Sequence, residues 1–99
     1  MDNTEILDFI KEIELFRGLN EQELYVLSES IEEKTFQRNE LLFEENGERR
    51  DLFLIYDGEV ELFKKNIYGD EKRLSFFTRG DFLGEGSLSG ESKHSTSAR

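Results

Sequence analysis

The residues best suited to chemistry in this 99-residue chain lie in one stretch, residues 80–99, with the sequence GDFLGEGSLSGESKHSTSAR. It gathers four glycines, six serines or threonines and the one histidine of the chain, His94. Glycines around a short turn let backbone N–H groups converge on one point, and such nests and helix N-termini bind anions. The stretch therefore indicates an anion site, and a glycine- and serine-rich surface loop that binds nothing remains the open alternative.

Glu85 narrows the kind of ligand that such a site would take. Its carboxylate lies among the glycines, where it would repel a phosphate that it faced directly. Glu85 fits the site better if it faces hydroxyl groups, for example those of a ribose. Neutral donors come from the serines and the threonine of the stretch, Ser95 among them.

Templates for catalysis and for metal binding fail in the same stretch. Gly84-Glu85-Gly86 begins like a dinucleotide fingerprint, but Ser89 occupies the third glycine position. Leu88 stands where a nucleophile elbow requires serine. One histidine without any cysteine does not make a zinc site. We therefore expect no catalytic residues, no metal and no enzyme activity.

Composition narrows the class of partner. Asp and Glu number 23 against 13 Lys and Arg, for a formal charge of −10, so we expect no nucleic acid partner for this piece. The absence of cysteine is typical of a reducing compartment. The first residues, MDNTEILDFIKEIEL, carry no basic start, and no apolar run reaches membrane-spanning length. The sequence predicts a cytoplasmic protein that does not contact a membrane.

Two short helices are expected within residues 1–31. Asn3 or Thr4 is predicted to cap the first helix. Asn20 is predicted to cap the second, with Glu23 completing a capping box three residues later. The apolar residues at helical spacing are Ile6, Phe9, Ile10 and Ile13 in the first helix, and Leu24, Leu27 and Ile31 in the second.

Residues 32–79 change to the pattern of short strands. Asp57-Gly58 between residues 52–56 and 60–64 predicts a β-hairpin. Further strands are expected at residues 41–43 and 73–78, with a turn at residues 66–70. Five or six short strands at this spacing indicate a β-sandwich, a barrel or a jelly roll in one domain.

Three blocks, taken together, resemble the cyclic-nucleotide-binding domain shared by catabolite-activator-type regulators, kinase regulatory subunits and gated channels. Their order and spacing carry the resemblance, which covers about residues 10–99. The blocks are LFRGL at residues 15–19 with Leu24 and Leu27, DLFLIYDGEV at residues 51–60, and GDFLGE at residues 80–85.

The resemblance implies a mainly β fold, a jelly-roll sandwich or barrel with short N-terminal helices, whose C-terminal part is missing from this chain. Residues 80–99 would be its phosphate-binding cassette, truncated at the end. Gly84 and Glu85 would fill the glycine–glutamate pair, with the glutamate accepting from a ribose 2′-hydroxyl. Gly86, Ser87 and Leu88 would begin the short helix whose amides face a cyclic phosphate. The candidate ligand is cAMP or cGMP, and no cofactor is expected.

The sequence departs from the family at the cationic corner of the cassette. An arginine that pairs with the phosphate is replaced by His94, and Lys93 precedes it. Arginine offers a fixed bidentate fork, whereas histidine offers at most one donor to a phosphate. Losing such a charge pair costs about 2–5 kcal/mol, which is roughly tens- to thousands-fold in affinity. Lys93 or Arg99 would have to supply the charge.

The function implied is a regulatory ligand sensor in signal transduction, of the kind that includes transcription regulators. We expect an effector module in the same polypeptide beyond Arg99, and a homodimer is compatible with the exposed sheet edges of an open jelly roll. The alternative is a degenerate jelly roll that binds no nucleotide and serves protein–protein interaction. His94 favours this alternative, and Glu85 favours the sensor.

Overall fold

The computed structural model describes residues 1–48, 51–84 and 93–99. The chain divides into two compact units, Met1–Thr35 and Phe36–Arg99. In the first unit the structure has two short helices, and in the second it has short antiparallel strands. No helix in the described ranges is long and apolar enough to cross a membrane.

The N-terminal unit holds α1 (Asn3–Ile10), a 3-10 turn (Glu14–Phe16) and α2 (Glu21–Glu29). The capping box predicted for the second helix is confirmed. The Asn20 side chain accepts from the Glu23 N–H at 2.8 Å, and the Glu23 carboxylate accepts from the Asn20 N–H at 3.0 Å. Two orphan donors at the start of α2 are thereby satisfied.

The predicted cap of the first helix is wrong by one or two residues. Asp2, not Asn3 or Thr4, is the N-cap, and its carboxylate accepts from the Glu5 N–H at 2.8 Å. A cap accepts from the N–H two or three residues on, and Asp2 reaches Glu5 in this way while its own backbone stays extended.

The apolar stripe predicted for the first helix is buried, whereas that of the second helix is buried only in part. The buried residues are Ile6, Phe9, Ile10, Ile13 and Leu24. Leu27 is only half-buried, and Ile31 lies beyond the end of α2.

The C-terminal unit contains five strands among the described residues: β1 (Phe53–Leu54), β2 (Val60–Lys65), β3 (Glu71–Phe77), β4 (Phe82–Leu83) and β5 (Ser97–Ala98). β1 pairs with β4 in a two-stranded sheet, and the second sheet has the order β3-β2-β5. All of these pairings are antiparallel.

The hairpin predicted around Asp57-Gly58 is wrong in its pairing. The bend exists, with Gly58 at φ +91°, but it carries the chain from one sheet to the other. The hairpin in this region joins β2 to β3 across residues 66–70. There the Asn66 side chain accepts from the N–H groups of Tyr68 and Asp70 at 2.8 and 3.0 Å.

Two other strand predictions need correction. Residues 41–43 form no strand of their own and contribute one isolated bridge, between Phe43 and Ala98. The strand predicted at residues 73–78 begins two residues earlier and ends at Phe77, because its pairing with β2 continues down to the turn at residue 70.

The core of the C-terminal unit joins the two sheets. Ile55, Val60, Leu83 and Ala98 are buried together. The half-buried residues packed against them are Leu42, Phe43, Phe53, Leu62 and Phe77. Because Ala98 of β5 lies in this core, the residues just before it are held beside the end of β4, where the candidate site forms.

Candidate functional site

A small pocket lies where β4 ends and the chain returns toward β5. Its volume is about 220 Å3. The residues that line it are Phe43, Leu62, Phe77, Phe82, Leu83, Gly84, His94, Ser95 and Thr96. We call this cavity the His94 pocket. Its described lining is mainly aromatic and aliphatic, with hydroxyls and one imidazole as polar groups and no Lys, Arg, Asp or Glu.

Gly84 forms the end of the pocket next to β4. Its φ is +84°, in the left-handed region that favours glycine. A Cβ at this position would lie 2.6 Å from the carbonyl oxygen of Asp51, closer than any real contact. At Gly84 the backbone therefore approaches the backbone of Asp51 so closely that only glycine fits.

His94 also lines the pocket. Its imidazole is stacked on the Phe43 ring, with ring centroids 3.8 Å apart and planes 11° from parallel. Only 4% of the residue is exposed. Its backbone is also fixed, since Asn46 N–H donates to the His94 carbonyl at 2.8 Å and His94 N–H donates to the Gly47 carbonyl at 2.9 Å.

Further hydrogen bonds join residues 42–45 to residues 97–98. Leu42 N–H donates to the Ala98 carbonyl at 2.8 Å, and Ala98 N–H donates to the Phe43 carbonyl at 3.0 Å. The Ser97 hydroxyl accepts from the Glu45 N–H at 2.8 Å. The position of His94 is therefore set by residues 42–48 as well as by β5.

Lys93, predicted as part of the cationic corner, is exposed. It forms an isolated bridge with Glu48 and is not among the described residues that line the pocket.

Arg99, the other predicted source of positive charge, is engaged elsewhere. Its guanidinium lies over the Phe63 ring, 4.0 Å from the centroid. It donates a hydrogen bond to the Glu71 carboxylate and lies 3.7 Å from that of Glu61. The hydrogen bond from Arg99 holds the pKa of the Glu71 carboxyl below its ordinary value, and the same bond raises the pKa of the Arg99 guanidinium. Arg99 thus joins β5 to β2 and β3 instead of serving the pocket.

Of the predicted site residues, the structure brings Gly84, His94 and Ser95 together in the pocket. Glu85, Gly86, Ser87 and Leu88 lie outside the described residues.

Sequence reasoning did not assign the apolar lining of the pocket. The missed residues are Phe43, Leu62, Phe77, Phe82 and Leu83. Phe82 and Leu83 belong to the glycine-rich stretch itself, so proximity in sequence was an available signal. The others come from distant strands and are brought in only by tertiary packing.

Comparison with known proteins supports a relationship along most of the chain. The family model described as cyclic nucleotide-binding domain matches residues 33–99. A cGMP-dependent protein kinase of Drosophila melanogaster, isozyme 2 forms cD5/T2, is 31% identical over 88 residues, which are 88% of this chain and 9% of the kinase. The cyclic AMP receptor protein of Thermus thermophilus is 29% identical over 84 residues, which are 85% of this chain and 39% of that protein. The chain thus spans only a minor part of these relatives.

Solved structures share the fold. The crystal structure of the Thermus thermophilus catabolite activator protein is 28% identical, with a TM-score of 0.72 over 85% of this chain and 39% of that one. The regulatory subunit of a cAMP-independent protein kinase A from Trypanosoma cruzi, bound to guanosine, is 21% identical, with a TM-score of 0.86 over 97% of this chain and 34% of that one. The predicted mainly β, jelly-roll fold with short helices is confirmed. Since the family model covers more than half of its residues, the chain belongs to the cyclic nucleotide-binding domain family.

Proposed function

We propose that this chain is a regulatory, non-catalytic sensor domain that holds a nucleoside-based ligand, of the class to which cAMP and cGMP belong, in the His94 pocket. The observation that carries the proposal is the meeting of Gly84 and His94 in one small pocket. By the family resemblance, these residues stand at the two ends of the cassette. The relatives, among them a cGMP-dependent protein kinase and a cyclic AMP receptor protein, support the ligand class.

The roles proposed for the residues follow from their chemistry. Glu85 would accept from a ribose hydroxyl, and the amides of Gly84 and Gly86–Leu88 would face the phosphate side of the ligand. The His94 imidazole and the Ser95 hydroxyl would add hydrogen bonds at the other end. The aromatic and aliphatic lining would cover the uncharged part of the ligand, as is usual for small-molecule sites.

Regulation would follow from differential affinity. A ligand that binds one arrangement of the cassette better than another shifts the population toward that arrangement. An effector module in the same polypeptide would sense this shift, and the coupling would be reciprocal. A cytoplasmic location and a homodimer belong to the same proposal.

A second function is favoured by one observation at the same site. His94, at the position of the phosphate-pairing arginine, is stacked on Phe43, and the described pocket lining contains no fixed cation. This would suit a degenerate domain that uses the jelly roll for protein–protein interaction and binds no nucleotide.

Calorimetric titration separates the two functions. The 99-residue chain is titrated with cAMP, cGMP, adenosine and guanosine, and the sensor reading expects saturable binding of at least one of them. Glu85→Ala should weaken that binding about 10-fold or more, since it removes a hydrogen bond to a charged group. Glu59→Ala, an exposed carboxylate that is not among the pocket residues, should leave it unchanged. Binding that Glu85→Ala does not alter would refute the role of Glu85, and no heat with all four compounds would favour the degenerate domain.

A further inference from the structure

We propose that the His94 pocket selects an uncharged nucleoside over the corresponding cyclic nucleotide. This inference rests on the proposed function and names the ligand that the pocket favours within the proposed class. The cyclic nucleotide carries a phosphodiester monoanion, whereas the nucleoside presents neutral hydroxyls at the same positions. The charge of the ligand at this point is therefore what the pocket would discriminate.

The first support is the absence of fixed charge in the described lining. Its polar side chains are the imidazole of His94 and the hydroxyls of Ser95 and Thr96, set among apolar residues. An anion held there without a charged partner loses its hydration, and the backbone amides proposed to face it replace only a part of what a paired cation would give. A neutral hydroxyl loses far less, and serine or threonine hydroxyls can both donate to it and accept from it.

The second support is the placement of the cations nearest in sequence to the pocket. Arg99 is paired with Glu71 and lies over the Phe63 ring, on the sheet formed by β3, β2 and β5. Lys93 is exposed opposite Glu48. Neither Lys93 nor Arg99 therefore supplies a charge to the described lining of the pocket.

Other cations of the second unit already have acidic or aromatic partners. The Lys64 ammonium lies 3.7 Å from the Glu45 carboxylate, and Arg73 Nε lies 3.2 Å from that of Glu61. The guanidinium of Arg79 lies 4.5 Å from the centroid of the Tyr56 ring. Moving one of these side chains to a ligand phosphate would mean giving up such a contact.

The third support is the limited hydrogen-bonding capacity of the His94 imidazole. One face of its ring is covered by Phe43, and its backbone is fixed by Asn46 and Gly47. Imidazole presents one in-plane nitrogen at a time to a given ligand atom, unlike the paired donors of a guanidinium. A single hydrogen bond of this kind suits a hydroxyl of a nucleoside and replaces only a part of what an arginine gives to a phosphate.

The size of the pocket agrees with a small ligand. Its volume, about 220 Å3, lies below the roughly 300–1,000 Å3 that is usual for sites of drug-sized ligands.

The test is calorimetric competition on the 99-residue chain with adenosine, guanosine, cAMP and cGMP. We expect the preferred nucleoside to bind the wild type about 10-fold or more tightly than its cyclic nucleotide, which is the scale of one unmade charged hydrogen bond. His94→Arg restores a bidentate cation at the pocket, so it should raise the affinity for the cyclic nucleotide by tens-fold or more. The ratio of the cyclic nucleotide's affinity to that of its nucleoside should therefore rise by about 10-fold or more, because the nucleoside offers no charge for the arginine to pair with.

A matched control separates a local effect from the change in net charge. Ile67→Arg adds the same charge at the β2–β3 turn, where the residue is 91% exposed and is not part of the pocket lining. It should leave all four affinities unchanged. An equal gain in cyclic nucleotide affinity in Ile67→Arg and in His94→Arg would overturn the role of His94.

The wild-type preference decides the inference even if a variant does not fold. A cyclic nucleotide that binds the wild type more tightly than its nucleoside overturns the inference and leaves the proposed function standing. If none of the four compounds binds, the proposed function fails and this inference fails with it. The two failures are therefore distinguishable in the same titration.

Discussion

The His94 imidazole lies flat on the Phe43 ring, with the ring centroids 3.8 Å apart and the planes within 11° of parallel. The two residues are distant in sequence and come together because residues 42–48 run alongside residues 93–98. His94 is therefore a packing residue and a pocket residue at once. A change in its stacking partner should affect both the stability of the domain and the shape of the site.

Phe43→Leu tests this double role. The substitution removes the ring on which His94 is stacked, so the free energy of unfolding should fall by about 1–3 kcal/mol in urea denaturation. Affinity for the bound ligand should fall as well, because the imidazole loses its support.

Phe36→Leu is the matched control for this prediction. Phe36 is also half-buried and makes an edge contact with Phe53 at 6.3 Å, but it does not line the pocket. It should reduce stability and leave ligand affinity unchanged. An equal loss of affinity in both variants would show that the effect is general destabilisation.

Gly84→Ala should lower the free energy of unfolding much more than Gly80→Ala does. Both glycines have positive φ, at +84° and +91°, so each substitution costs about 1–2 kcal/mol for the left-handed backbone. Only at Gly84 does the new Cβ also meet a backbone atom, the Asp51 oxygen at 2.6 Å, whereas the space around Gly80 is open. The clash should add a further 1–3 kcal/mol or so.

Thermal unfolding of the two glycine variants measures this difference. Gly84→Ala should have the lower Tm by several degrees, on the scale of about 4–8 °C per kcal/mol for a domain of this size. Equal melting temperatures would mean that the close approach at Gly84 relaxes without cost.

The ion pair between Glu71 and Arg99 predicts a dependence of stability on pH. Arg99 holds the pKa of the Glu71 carboxyl below its ordinary value in the folded state. Stability from this pair is thus fully present above the unfolded pKa of the carboxyl and is lost as the pH falls through the folded pKa. On acidification from about pH 6 to about pH 3, the wild type should therefore lose more stability than Glu71→Gln does.

Urea denaturation at several pH values checks this prediction. Glu59→Gln removes an exposed carboxylate on the loop before β2, and it should lose stability on acidification as the wild type does. If Glu71→Gln follows the wild-type pH dependence as closely as Glu59→Gln does, the pair contributes nothing measurable.

Among the features of this structure, helix caps and turns formed by neighbouring residues were predicted best from the sequence. The capping box of Asn20 and Glu23 depends on residues three positions apart, and the structure has it in full. The turn at residues 66–70 and the bend at Gly58 were likewise expected from their residue types. Such features depend on a few neighbouring backbone and side-chain groups, which are visible in the sequence.

Pairing between distant strands could not be predicted in the same way. The Asp57-Gly58 bend was expected to join paired strands, but β1 pairs with β4, and β2 lies between β3 and β5. A turn signal fixes where the chain bends, whereas the partner of each strand depends on packing across the core. The same reason explains the pocket: the position of His94 was noticed in the sequence, but its contact with Phe43 was not.

NMR titration of the 15N-labelled chain with adenosine, guanosine, cAMP and cGMP tests the central claim, a nucleoside-class ligand in the His94 pocket, most directly. We expect saturable shifts of the amide signals of Gly84, His94, Ser95 and Thr96, with the amide of Leu24 in α2 as an internal reference. Saturable shifts confined to other parts of the chain, or no shifts with any of the four compounds, would contradict it.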